Sequence, residues 1–179
     1  MNALICYDTK YGSTTKICNY IGSGMKIDVD IKNIHEVKSF AYDLFIIGSP
    51  IFIGKPMKSV EDFIATNYEN LRDRKIAIFV TCWAMGTQYG ASSSEFLDQL
   101  RKHLPPCHLI LERALPGKLL LDKVSERDQQ TMKRLLRRLD TMSKEFNSQG
   151  IAWRDARDKK TAEDFGKEIE NSLRNYNAY

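Results

Sequence analysis

Residues 2–15 read NALICYDTKYGSTT, an apolar run from Ala3 to Tyr7 that stops at a turn bearing hydroxyls and a glycine, Thr9-Lys10-Tyr11-Gly12-Ser13-Thr14-Thr15. Helical spacing starts directly afterwards with Ile17 and Ile21. The stretch predicts a strand, a tight turn and a helix start. In a parallel α/β sheet such a turn lies at the carboxyl end of the strand, where free backbone N–H groups and the positive end of the helix macrodipole attract an anion. Phosphate is the anion expected. The turn lacks GxxxxGK[ST], which excludes a nucleoside-triphosphate P-loop, and it lacks the GxGxxG dinucleotide fingerprint. What remains is a cradle of hydroxyls from Thr9, Ser13, Thr14 and Thr15 with backbone donors, Gly12 permitting close approach. Taken alone, the same hydroxyls would serve as ordinary helix caps, their preferred position.

Outward from this stretch, residues 14–24 form the expected first helix, closing at Gly22-Ser23-Gly24, which suits a left-handed cap. Residues 26–31, KIDVDI, alternate polar and apolar like an edge strand. A weakly patterned helix or loop over 34–42 leads to DLFIIG (43–48), a continuous apolar strand of the kind buried on both faces. In SPIFIGKP (49–56), Pro50, Gly54 and Pro56 predict that the chain leaves the sheet and turns over the surface, with Ile51, Phe52 and Ile53 assigned no place in the core. Val60, Phe63 and Ile64 place a helix at 57–68, and KIAIFVTC (75–82) is the next strand. A Gly/Ser-rich loop precedes a helix over 95–104, which Pro105-Pro106 ends.

A fifth strand covers 107–111 and is either extended or interrupted at Pro116-Gly117 on the way to 119–121. Residues 125–147 carry Met132, Leu135, Leu136, Leu139, Met142 and Phe146 at steps of three and four, predicting a long helix with Lys133, Arg134, Arg137, Arg138 and Lys144 opposite. A final helix over 162–173 aligns Phe165, Ile169 and Leu173. Alternating strands and helices imply an α/β fold, a doubly wound five-stranded parallel sheet of order 2-1-3-4-5. Residues 1–150 are expected to form the main domain, with 151–179 a helical extension packed on it. The strand order puts a ligand at the switch point between the first and third strands, beside the loops beginning at Thr9 and Ser49.

The chain has 179 residues, 42% of them apolar, enough for one domain with a substantial core. Its longest apolar runs, such as 44–47 and 76–80, fall far short of the roughly 20 residues of a membrane span, and the first residues lack a secretory pattern. A cytoplasmic protein with no transmembrane segment is expected. Cys6, Cys18, Cys82 and Cys107 form no CxxC pair, and His35, His103 and His108 are isolated, so structural thiols and no metal site are expected. The net charge of +4 favours acidic partners, and no motif points to nucleic acid.

Two further strand-end loops, with Phe52 in 51–54 and Trp83 in 82–86, place aromatic side chains on the same rim, where a flat ring fits beside a phosphate. Here the sequence resembles the flavodoxin family, whose T/S-x-T-G-x-T phosphate loop is matched by Thr9-Lys10-Tyr11-Gly12-Ser13-Thr14. Tyr11 stands where a small hydroxyl residue is usual, and Ser13 where Asn is common. The resemblance implies a flavodoxin-like fold holding FMN, with the phosphate in 9–15. Ser49, Pro50, Ile51, Phe52, Ile53 and Gly54, with Thr81, Cys82, Trp83, Ala84 and Gly86, would then line the isoalloxazine.

The stretches IIGSPIFIGKP, VTCWAMG and TAEDFGKEI also look like the branch that contains quinone-dependent protoporphyrinogen dehydrogenases. The function implied is electron transfer through the flavin without a catalytic side chain; the alternative is a flavin-dependent oxidoreductase of protoporphyrinogen type acting with a quinone. The implied partner is a redox protein (ferredoxin, reductase or oxidoreductase), with the chain a monomer or weak dimer. Small electron carriers of the family are typically acidic, unlike this chain. The basic face at 133–138 would meet an acidic partner, anionic lipid head groups in peripheral membrane contact, or a porphyrin carboxylate. As an ordinary solvated face it would instead be balanced by Glu126, Asp128, Asp140 and Glu145.

Overall fold

The computed structural model describes residues 1–82, 93–118, 125–128, 130, 134, 155 and 157–176. The chain begins with β1 (Asn2–Tyr7), α1 (Ser13–Ser23) and β2 (Asp28–Asn33), followed by a single 3-10 turn at Ile34–Glu36. Next come β3 (Leu44–Phe52), the short β4 (Lys55–Pro56), α2 (Lys58–Thr66), α3 (Tyr68–Leu71) and β5 (Lys75–Cys82). The last elements are α4 (Ser93–Arg101), β6 (His108–Pro116) and α5 (Lys159–Tyr176). The main strands lie in the order β2-β1-β3-β5-β6, every neighbouring pair parallel, and β4 pairs back on β3. Apart from β4, this is the expected doubly wound order.

Period-two alternation divides the side chains between two cores. Ala3, Ile5 and Tyr7 of β1, Leu44 and Ile46 of β3, and Ala77 and Phe79 of β5 face α1 and α5. Leu4, Cys6, Phe45, Ile47, Ile76, Ile78 and Val80 face the other way, onto Val60 and Ile64 of α2 and Leu97 and Leu100 of α4. β3 and β5 are therefore buried on both sides, which is why they read as unbroken apolar runs. β2 is an edge strand with alternating exposure, as its sequence predicts.

Two sequence expectations change, and one that stood open is decided. β3 does not leave the sheet at Ser49: Ser49 pairs with Val80 and Pro50 with Thr81 before the strand ends at Phe52. β1 stops at Tyr7, opposite Gly48, so β3 is an edge on that side from Ser49 onward, where a proline's missing N–H breaks no ladder. Ile51 consequently packs against the core facing α2. Gly24 is right-handed (φ −79) rather than a left-handed cap; the reason for a glycine there is that a Cβ would lie 2.1 Å from the Glu163 carbonyl oxygen of α5. The strand after α4 runs unbroken to Pro116.

The terminal helix is longer than its pattern suggested, and its Ala162, Phe165, Ile169 and Leu173 share one core with Ile17 and Ile21 of α1. Gly166 lets the two helices approach: a Cβ there would sit 2.2 Å from the Ile21 carbonyl oxygen. Most of the helix expected at 125–147 lies outside the described residues; 126–128 are helical. No helix among the described residues is long and apolar enough to cross a membrane. Cys6, Cys18 and Cys82 are buried, and burial pushes Cys6 up to about 12.

Candidate functional site

The carboxyl ends of β1, β3 and β5 converge on one rim. At the end of β1, Gly12 takes a left-handed conformation (φ +83) and forms the N-cap of α1 without any side-chain cap. Hydroxyl capping, the alternative reading of this turn, is thus not what forms. The first-turn N–H groups keep their donors and the dipole its positive end. The hydroxyls instead brace the turn. Thr9 Oγ1 accepts from the Gly12 N–H at 3.0 Å, and Ser13 Oγ accepts from the Lys118 N–H at 3.1 Å. Each hydroxyl that accepts in this way retains its own O–H to donate. Thr14 Oγ1 lies 3.2 Å from Thr81 Oγ1, a fully buried contact that ties the turn to the end of β5.

At the end of β3, Phe52 pairs with Lys55, leaving Ile53 and Gly54 as a two-residue hairpin loop with φ of +52 and +77. Positive φ at both positions is the type I′ pattern, and a β-branched residue fills the first one only with strain. Ile53 is also among the exposed large hydrophobic residues, at 47%. The base of the hairpin is fixed by buried Ser49, whose Oγ accepts from the Met57 N–H at 2.9 Å. Lys10 links the two turns, its Nζ standing 4.0 Å from the Phe52 ring centroid.

Thr9 through Thr15 therefore surround the start of α1, Ser49 through Gly54 form the neighbouring strand end and hairpin, and Thr81 and Cys82 end β5 beside them. Trp83, Ala84 and Gly86 lie outside the described residues. Sequence reasoning missed two acidic residues. Buried Asp8 accepts from the Thr9 N–H at 2.7 Å, from Asn33 Nδ2 at 3.2 Å and from the Ser59 hydroxyl. Burial opposes ionisation of Asp8, but these bonds together with nearby His35 outweigh it and hold the carboxyl below its ordinary value. Its place directly before Thr9 was the available signal. Asp128 pairs with Lys10 and accepts from the Tyr11 hydroxyl at 2.6 Å, across 117 residues of sequence that gave no hint of it.

The family model described as Flavodoxin domain matches residues 4–145. A flavodoxin from the domain Archaea superposes with a TM-score of 0.56 at 15% identity, covering 97% of this chain and 99% of that one. Two-electron reduced flavodoxin from Megasphaera elsdenii gives 0.54 at 12% identity, with 94% and 98% covered. Rubredoxin oxygen:oxidoreductase from Desulfovibrio gigas gives 0.55 at 11% identity, with 99% of this chain but 37% of that one covered. No curated protein matches the chain in sequence. At these identities the structural likeness speaks for the fold, and the family model, which spans most of the chain, places it: this protein belongs to the flavodoxin-domain family.

Proposed function

We propose that the chain binds FMN and works as a flavodoxin-type electron-transfer protein. The observation that carries this reading is the uncapped start of α1, enclosed by Thr9, Gly12, Ser13 and Thr14 and set beside the Phe52 hairpin. A phosphate monoester fits that donor set. Backbone N–H groups of residues 13–15, the hydroxyls of Thr9 and Ser13 and the Lys10 ammonium all favour a dianion, while Gly12 has no heavy atom within 4 Å of where a Cβ would stand. Residues 49–54 and 81–86 would flank the ring.

Bound FMN would supply one- or two-electron redox chemistry. The protein's residues would anchor the phosphate, orient the ring between the two strand ends and keep water from its inner face. The strained peptide at Ile53-Gly54 supports a role in adjusting contacts to the ring edge. The net charge of +4 suits an acidic redox partner.

The test is a titration of apoprotein with FMN, followed by stepwise reduction under a visible spectrum. Quenched flavin fluorescence and a reversible, protein-specific spectral change are expected. Protein that stays colourless in excess FMN overturns the reading. Turnover of a protoporphyrinogen with a quinone would replace the carrier role with the oxidoreductase alternative.

A further inference from the structure

Residues 8–12 lie between β1 and α1, with Ser13 the first residue of the helix. Their internal support is the bond from Gly12 N–H to Thr9 Oγ1 and that from Thr9 N–H to the Asp8 carboxylate. Among the described residues, further bonds to this turn arrive from beyond β6. Lys118 N–H reaches Ser13, and the Asp128 carboxylate takes both the Lys10 ammonium and the Tyr11 hydroxyl. Asp128 is itself fixed in place. Its N–H donates to Ser125 Oγ at 3.3 Å, which makes Ser125 the cap of the helical residues 126–128 and Asp128 their third, where the dipole favours a carboxylate.

Bonds from Lys10 and from Tyr11 hold the Asp128 carboxyl below its ordinary value, and burial, with the bond to Asp128 behind it, raises the Tyr11 phenol. The contacts also explain Tyr11. A small hydroxyl residue at that position could not span the gap to Asp128, whereas the phenol does.

We propose that Asp128 is a positioning residue of the phosphate cradle, holding Lys10 and Tyr11 so that the turn is ordered before a phosphorylated ligand enters and the ligand leaves slowly. A turn ordered in advance loses less freedom on binding, so the gain appears mainly in the dissociation rate. Because the carboxylate acts through the cradle, it should matter for the phosphate-bearing ligand and not for its dephosphorylated form.

This inference rests on the FMN reading and is tested with the full chain. Asp128→Ala should speed FMN dissociation about five- to tenfold, with Asp128→Asn intermediate because the amide oxygen still accepts from Tyr11. Tyr11→Phe should reproduce part of the effect and add little to Asp128→Ala, since the two act through one bond. Riboflavin affinity should not move, and amide exchange of residues 9–13 in the apoprotein should quicken in each variant. Equal effects on FMN and riboflavin, unchanged rates, or tighter FMN binding on removal of the carboxylate would each overturn the proposal; the last would make Asp128 a competitor of the phosphate for Lys10. If the wild type takes up no flavin, the cofactor reading falls, and the role of Asp128 is decided by amide exchange alone.

Discussion

The turn after β1 and the hairpin after β3 both need left-handed backbone at the same rim of the sheet, and they obtain it differently. In the turn the left-handed residue is Gly12 (φ +83), for which the conformation is unstrained, and bonds arrive from β5, from Lys118 and from Asp128. In the hairpin it is Ile53 (φ +52) followed by Gly54, clamped at its base by Ser49 and touched on its side by Lys10. A left-handed L-residue costs about 1–2 kcal/mol, held by the surrounding structure. Fixed, unstrained donors suit the grip of a constant anion. A strained peptide suits a neighbour whose state changes.

If the grip resides in the first turn, the largest effect should come from Thr14. Thr14→Ala is expected to weaken FMN binding by about 1–3 kcal/mol, through loss of a hydroxyl near a charged phosphate and release of Thr81. Fluorescence titrations with FMN and riboflavin measure it, and an equal loss for both ligands would move Thr14 from the cradle to the framework. Ile53→Gly tests the other side of the contrast. Relief of strain, less the extra freedom glycine gives the unfolded chain, should stabilise the apoprotein by about 1 kcal/mol in urea unfolding. A loss of stability would show that the exposed isoleucine packs more than it strains.

The contrast also shows what the sequence could reveal. Ile46, Ile47 and Phe79 announce buried parallel strands because both faces of β3 and β5 are covered, and the spacing of Ile17 and Ile21 sets the buried face of α1. Local chemistry was enough for these. Pro50 misled because its effect depends on a partner: it would break a central ladder, but β1 has already ended beside it. The role of Gly24 is likewise invisible until Glu163, 139 residues later, is brought against it. Of the site, the passage from strand through hydroxyl-rich turn to helix was legible in local pattern. The bonds that order it were not, because Thr81, Lys118 and Asp128 meet it only through the fold.

Acid should act on the first turn before the second, since Asp8 lies under the former. Its pKa in the folded protein is below the ordinary 3.8, so its contribution to stability is complete above that value and is lost as pH falls through 3.8 toward the folded value. Below about pH 4 the unfolded chain binds the proton more readily, so acid favours unfolding. The stability difference between wild type and Asp8→Asn should therefore be constant from pH 6 to about pH 5 and shrink below about pH 4. Urea unfolding across that range measures it, and a difference that stays flat to pH 3 would show that Asp8 is not perturbed by Ser59, Asn33 and the Thr9 N–H.

The smallest effect decides whether the two turns are separate at all. Lys10 belongs to the first turn and reaches the second, paired with Asp128 on one side and 4.0 Å from the Phe52 ring centroid on the other. The side chain is 39% exposed, so solvent screens its charge, and the contact with the ring should be worth about 0.5 kcal/mol. Lys10→Met keeps the length of the chain without the cation, and Phe52→Leu keeps an apolar residue without the ring face. In a double-mutant cycle the pair should show a coupling near 0.5 kcal/mol, read by urea unfolding of the apoprotein. Coupling of that size makes Lys10 a strut through which the braced turn supports the strained hairpin. Zero coupling would leave the hairpin held without Lys10, and the division between fixed grip and adjustable edge would then be complete.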